Sequence, residues 1–215
     1  MARRKKEPKA VHRHNIASAA RELFEKKGIE ATTMDEIAKK AGYSKATLYV
    51  YFQNKEEIVG VLVLESMKKL YDYIAAAIEE KESAKVRYYL ICEALVRYQE
   101  EYPFYFKTVL EGINIDFEHS KCLPEEEETF RIGEEINLLL KHFIEEGIAA
   151  GEFREETDST ITIFSLWGML SGLIQLAVNK EVYVAQEMKL SKQEFLKNGF
   201  DSLYRIIAEE KVYGK

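Results

Sequence analysis

Thr33-Met34-Asp35-Glu36-Ile37-Ala38-Lys39-Lys40-Ala41-Gly42-Tyr43-Ser44-Lys45-Ala46-Thr47-Leu48-Tyr49-Val50-Tyr51-Phe52 is the stretch whose punctuation decides the fold. Thr33 with Glu36 has the form of a capping box, in which each side chain serves the other's backbone amide at a helix start. Met34, Ile37, Ala38 and Ala41 give the helix that follows an apolar face, and Gly42 can close it in a left-handed conformation. Ser44 is a natural N-cap for a second helix, with Tyr43 placed to staple onto Leu48. Two short helices joined through Gly42-Tyr43 make a helix-turn-helix.

In such a motif the first helix braces the second, and the second shows small or polar groups outward while a few apolar ones anchor it. Leu48 and Phe52, one turn apart, are the expected anchors. Lys45, Ala46, Thr47, Tyr49 and Tyr51 then stay on or near the exposed side, a mixture of charge, methyl, hydroxyl and aromatic groups suited to phosphates and the major groove. Lys55 opens the next helix against the helix dipole, and a phosphate explains a cation there more readily than stability does. The competing reading is a helical hairpin within a bundle, with Tyr49 in its core and only the hydroxyl at the surface.

Charge divides the chain in the same place. The whole carries a formal net charge of -6, yet residues 1–55 hold thirteen Lys and Arg against six Asp and Glu, leaving eighteen against thirty-one in the rest. A basic module that meets a polyanion and an acidic module with another task fit this asymmetry. The alternative for the basic start, Arg3 to Arg13, is a solvated tail. At 215 residues, with 47% hydrophobic and 32% charged residues and three prolines, the chain has ample material for a buried core, which excludes a disordered or collagen-like protein. Cys92 and Cys122 cannot build a disulfide scaffold, and the basic start is not followed by an apolar signal segment, so the expected location is the cytoplasm.

Outward from the motif the pattern stays helical. Ile16, Ala19, Ala20, Leu23 and Phe24 mark one buried face, and a long run from Lys55 to Lys81 lacks proline. Asn54 with Glu57 and Ser191 with Glu194 repeat the cap signature, and Pro103 and Pro124 suit first helical positions. The expectation is an all-α chain of about nine helices, divided into a three-helix domain with a helix-turn-helix over 1–55 and a helical domain over 56–215.

The run Ile16-Ala17-Ser18-Ala19-Ala20-Arg21-Glu22-Leu23-Phe24, Gly28, Ala31-Thr32-Thr33-Met34-Asp35-Glu36-Ile37-Ala38, Ala41 to Tyr49, Tyr51-Phe52 and Lys55-Glu56-Glu57 resembles the N-terminal domain of TetR-type (TetR/AcrR) transcriptional regulators. The resemblance implies an all-helical homodimer, most often a repressor, that binds an inverted-repeat operator in double-stranded DNA. It also implies release when a small-molecule effector occupies the C-terminal domain. Operator contacts carry over onto Thr33, Ser44, Lys45, Ala46, Thr47, Tyr49, Tyr51 and Lys55. Tyr43 stands where a small aliphatic residue is usual and Tyr51 where His is frequent, so base preference does not carry over. Beyond residue 60 the similarity is architectural only.

For the acidic domain the resemblance implies that the last two helices pair with those of a second copy. Ile161, Phe164, Leu166, Trp167, Leu170, Leu173, Ile174 and Leu176 are more apolar groups than one monomer face needs, and Gly168 and Gly172 permit close helix approach. The expected dimer contacts are Phe164, Gly168, Gly172, Gln175, Phe195, Phe200 and Leu203. Ile161 to Val178 is uncharged over 18 residues, but its Thr, Ser and Gln content and the lack of aromatic belts favour a helix covered by protein over a membrane span. A pocket for a hydrophobic or amphipathic ligand is expected among Tyr88, Tyr98, Tyr102, Phe106, Phe130, Phe143 and Trp167, within a wider aromatic set that includes Tyr89, Phe104, Tyr105 and Phe117.

Signals for catalysis are thin, and no enzyme, cofactor or metal is expected. Asp116-x-x-His119 is half of a di-metal motif, Ser171 lacks the flanking glycines of a nucleophile elbow, and Cys122 with His119 has no third group. Glu125 to Glu128 reads as a solvated helix start rather than a cation site. The alternative function is a helical small-molecule-binding protein or enzyme with an incidental basic end. An activator or nucleoid-type binder would share the helix-turn-helix.

Overall fold

The computed structural model of the chain describes residues 8–79, 82–111 and 123–209. The basic cluster Arg3 to Lys6 and the candidates Asp116, Phe117, His119 and Cys122 lie outside them. Ten helices occur among the described residues: α1 (Lys9–Lys27), α2 (Met34–Ala41), α3 (Lys45–Tyr51), α4 (Lys55–Ile78), α5 (Ala84–Glu101), α6 (Pro103–Glu111), α7 (Pro124–Ala149), α8 (Ser159–Asn179), α9 (Glu181–Gln186) and α10 (Lys192–Ile207). The helix beyond the expected nine is α9, a single short segment whose N-cap, Lys180, makes no side-chain bond. An isolated antiparallel bridge, Phe153 with Ala208, is the extended pairing among the described residues.

The chain forms two compact units, one of residues up to Met67 with Phe104–Phe130, the other of Lys68–Pro103 with Arg131 onward. The division falls inside α4 rather than at residue 55. The cause is packing within the first unit: Ile58 and Leu62 of α4 are buried, and residues 104–111 and 124–130 join the N-terminal helices. Phe104 lies 6.3 Å from Phe24, and the Tyr105 hydroxyl donates to Glu65 at 2.7 Å while accepting from Arg21 at 3.1 Å. Burial, then the Glu65 hydrogen bond, pushes the Tyr105 phenol up to about 12.

The N-terminal unit is built on Ile16, Ala17, Ala20 and Phe24 of α1, Ile37 and Ala38 of α2, and Leu48 and Phe52, all buried. The second unit has its own core, including Ile74, Tyr88, Leu95, Phe143, Phe153, Leu170, Ile174 and Phe200. Helix α5 begins there under Ser83, whose hydroxyl takes the Val86 amide, while Glu152 accepts from the Ala84 and Lys85 amides at 3.0 and 3.1 Å. A carboxylate at that end also complements the helix dipole.

Candidate nucleic-acid interface

Local chemistry sets the reading element. The Thr33 hydroxyl accepts from the Glu36 amide, and Glu36 Oε2 accepts from the Thr33 amide and hydroxyl, both at 2.9 Å. Lys27 Nζ donates to the other oxygen at 2.6 Å, and these bonds, Lys27's first, pull the Glu36 carboxyl down to about 2. Gly42 ends α2 at φ 76°, ψ 24°, a left-handed conformation that costs most side chains energy and glycine none. The chain then turns into Ser44, whose hydroxyl accepts from the Thr47 amide at 3.1 Å and shares a 2.7 Å hydrogen bond with the Thr47 hydroxyl.

Helix α3 has two anchors, Leu48 and Phe52, each 0% exposed. Ser44, Lys45 and Ala46 are exposed, Tyr49 is 44% exposed, and Thr47 and Tyr51 are half-buried. Val50, at 70% exposure, is an outward apolar group that the sequence reading left unassigned. Its position three residues after Thr47 was the available signal. Lys45 pairs with Asp35 at 2.7 Å, which raises its pKa, so α2 presents the lysine that α3 carries.

Lys55 corrects an argument made from sequence. Its ammonium donates to the carbonyls of Ile29, Thr32 and Glu30 at 2.7, 3.3 and 3.4 Å. The α1–α2 loop thus supplies a stabilising reason for a cation at the start of α4, where sequence alone pointed to phosphate. Also unassigned from sequence were His12 and Arg13 of α1, which pack against the end of α3 at Tyr51. Arg13 donates to the Tyr51 carbonyl, pairs with Glu125 and lies 4.2 Å over the Phe52 ring. Glu125, read as a solvated helix start, is therefore an ion-pair partner within this unit.

In the second unit a small apolar cavity of about 40 Å³ lies between α4, α5, α7 and α8. Tyr88, Phe143 and Trp167 line it with Ile74, Ile91, Leu95, Leu140, Ile144, Ile163, Leu166 and Leu170. The Tyr88 hydroxyl donates to the Phe200 carbonyl at 3.0 Å, and burial raises its pKa. The other four candidate pocket residues do not line this cavity. Tyr98 is buried beyond it, 5.6 Å from the Tyr73 ring and 6.1 Å from that of Tyr102. Phe106 is buried in the N-terminal unit, and Phe130 is 49% exposed. Arg87 and Arg131 pair with Glu146 and Glu135, and Arg97 lies over the Tyr73 ring.

Helix α8 carries two apolar stripes. Ile163, Leu166, Leu170, Ile174 and Ala177 face the chain's own core. Ile161 (67% exposed), Phe164 (60%) and Leu176 (48%) do not. Gly168 and Gly172 are exposed beside them, and a Cβ at either would meet nothing within 4 Å. The helix is long and apolar enough to cross a membrane, with 33% of its most apolar window buried. Gln175, Phe195 and Leu203 are half-buried, and Gln175 donates to Asn179 at 2.9 Å. Phe200, expected at a dimer contact, is 6% exposed and belongs to the chain's own core, because its turn of α10 receives Tyr88. Among the described residues no three His, Cys, Asp or Glu gather where they could hold a metal ion.

Comparison with known proteins bears on this geometry. Residues 16–62 match the model of the bacterial regulatory proteins, tetR family. The HTH-type transcriptional regulator TtgR of Pseudomonas putida is 38% identical over 82 residues, 38% of this chain, and the match spans only 39% of that regulator's length. The fatty acid metabolism regulator protein of Bacillus subtilis is 26% identical over 204 residues, 91% of this chain and 97% of that one. Among solved structures, the TetR family transcriptional regulator PfmR of Thermus thermophilus superposes with a TM-score of 0.65 at 28% identity, covering 88% of this chain and 97% of its own.

Proposed function

We propose that the chain, whose residues 16–62 match the model of the tetR family of bacterial regulatory proteins, is a cytoplasmic, homodimeric repressor of that family, released from its operator by a hydrophobic or amphipathic small molecule. The observation that carries the reading is α3 itself: Leu48 and Phe52 are wholly buried while Lys45, Ala46, Tyr49 and Val50 face outward. Such a surface offers a cation, methyl groups and a phenol to one groove of a duplex. Ser44 and Thr33 hold the helix ends, and their hydroxyls contact DNA only if their capping bonds are shared or given up.

The unburied stripe of α8 supports the dimer, since an apolar face of that length needs cover. Gly168 and Gly172 let a second helix approach closely. The hydrocarbon and aromatic walls of the small cavity support an apolar ligand. The name of the fatty acid metabolism regulator makes a fatty acid the first probe to try. Release requires only that such a ligand prefer one dimer geometry over the other. Two recognition helices at a spacing that no longer matches successive major grooves would then leave the DNA.

Purified full-length protein, delipidated by denaturation and refolding, is incubated with randomised duplex DNA in moderate salt, and the retained molecules are sequenced. The expected result is an inverted repeat with half-sites ~34–36 Å apart or slightly more, from which oleate displaces the protein. Recovery without any preferred sequence would overturn the assignment of α3 as a reader and favour a ligand-binding bundle whose basic end is incidental.

A further inference from the structure

Three aromatic rings from separate segments of the N-terminal unit close on one another at the end of the reading helix. His12 of α1 shares a 2.7 Å hydrogen bond, through Nδ1, with the hydroxyl of Tyr43 in the turn. The two rings meet edge to face, 5.8 Å apart at 86°. The His12 ring also lies 5.1 Å from that of Tyr51, and Tyr43 and Tyr51 stand 6.2 Å apart at 66°. All three residues are half-buried.

The backbone of Tyr51 is held from the same helix. Arg13 Nη1 donates at 2.6 Å to the Tyr51 carbonyl, one of the acceptors that the last turn of a helix leaves without an internal partner. Arg13 is itself fixed by Glu125 and by the Phe52 ring beneath it. Consecutive residues of α1 therefore hold the two ends of one residue, His12 the ring and Arg13 the carbonyl. What remains is the Tyr51 hydroxyl, which makes no hydrogen bond to any of the described residues.

We propose that His12 and Tyr43 are positioning residues for DNA recognition, holding the Tyr51 ring so that its hydroxyl donates to a phosphate oxygen of the duplex. The inference rests on the DNA-reading role assigned to α3. Tyr51 is the last residue of α3, and in a helix laid in a groove the first residues meet base edges while the far end lies towards the backbone. A phenol whose ring is already held loses less rotational freedom on contact than a free one, and that saving appears as affinity. The Tyr43 hydroxyl has its effect through His12 and then Tyr51, and touches no DNA itself.

A double-mutant cycle on the full-length protein tests this, with affinity read by fluorescence anisotropy on the duplex recovered by selection. Tyr43→Phe removes the hydroxyl and keeps the ring. It is expected to weaken binding about threefold to tenfold, with the preferred sequence unchanged. Tyr51→Phe is expected to cost at least as much, and Tyr43→Phe in the Tyr51→Phe background to cost nothing further. His12→Asn, which keeps an acceptor near Nδ1, should recover part of what His12→Ala loses. An undiminished Tyr43→Phe effect in the Tyr51→Phe background, or no effect in the wild type, would overturn the positioning role while leaving α3 a DNA reader. A wild type that retains no preferred duplex would overturn the reading itself, and this proposal with it.

Discussion

Lys55 shows how one side chain's role depends on what the fold brings to it. Three carbonyls of the α1–α2 loop surround its ammonium, and none of them is adjacent in sequence. Lys55→Ala should therefore lower stability to denaturant by about 1.5–3 kcal/mol, the usual worth of hydrogen bonds involving a charged group. Loss of operator binding with undiminished stability would instead return the residue to the phosphate role that the sequence suggested. Glu36 makes a second test at this scale. Its carboxyl ionises near 2 in the folded protein against an ordinary 4.5, so the depressed value stabilises the fold above about pH 4.5 and that contribution is lost as pH falls towards 2. Following the Glu36 carboxyl by NMR should give a midpoint near 2 in the wild type. A rise towards 4.5 is expected in Lys27→Ala, because the Lys27 hydrogen bond is the largest cause, and an unchanged midpoint would remove that cause.

At the scale of elements, legibility follows the range of the interactions. The Thr33–Glu36 and Ser191–Glu194 boxes, the Ser44 cap and the Gly42 turn all lie within a few residues of the amides they serve, and each forms as its spacing suggests. The short α9 escaped because Val182-Tyr183-Val184 carries neither period nor side-chain cap. The cavity was legible only in part. Tyr88, Phe143 and Trp167 reach it, whereas Phe106 is drawn into the N-terminal unit with the rest of α6, which no local pattern announces. Gly147 of α7 was equally silent in sequence. A Cβ there would stand 2.2 Å from the Phe153 ring, and Phe143 and Tyr204 pack on that ring from other sides. Gly147→Ala gains about 1 kcal/mol of helix propensity and meets an overpacking cost of about 1–3 kcal/mol. Because the ring has little room to turn, the net change in a denaturant melt should be a loss of stability; a gain would mean that the contact relaxes freely.

For the whole molecule the charge division and the uncovered stripe of α8 carry the account. Sequence showed too many apolar residues on that helix for one face, and the fold sorts them into a covered and an uncovered stripe, which composition could not do. Phe200 fell on the covered side because α10 meets α5 through Tyr88. Phe164→Glu should convert a dimer into a monomer in sedimentation without loss of helicity, because it places a charge on the exposed apolar stripe. A wild type that sediments as a monomer would remove the dimer from the proposal.

The central claim is that the outward face of α3 reads a DNA sequence, and the ratio of affinities for the selected duplex and for a scrambled one, at a single salt concentration, tests it most directly. The wild type should prefer the selected duplex by about a thousandfold or more. Tyr49→Ala should lose most of that ratio and keep its binding to scrambled DNA, where phosphate contacts dominate. The same ratio in wild type and variant would contradict the assignment of that face.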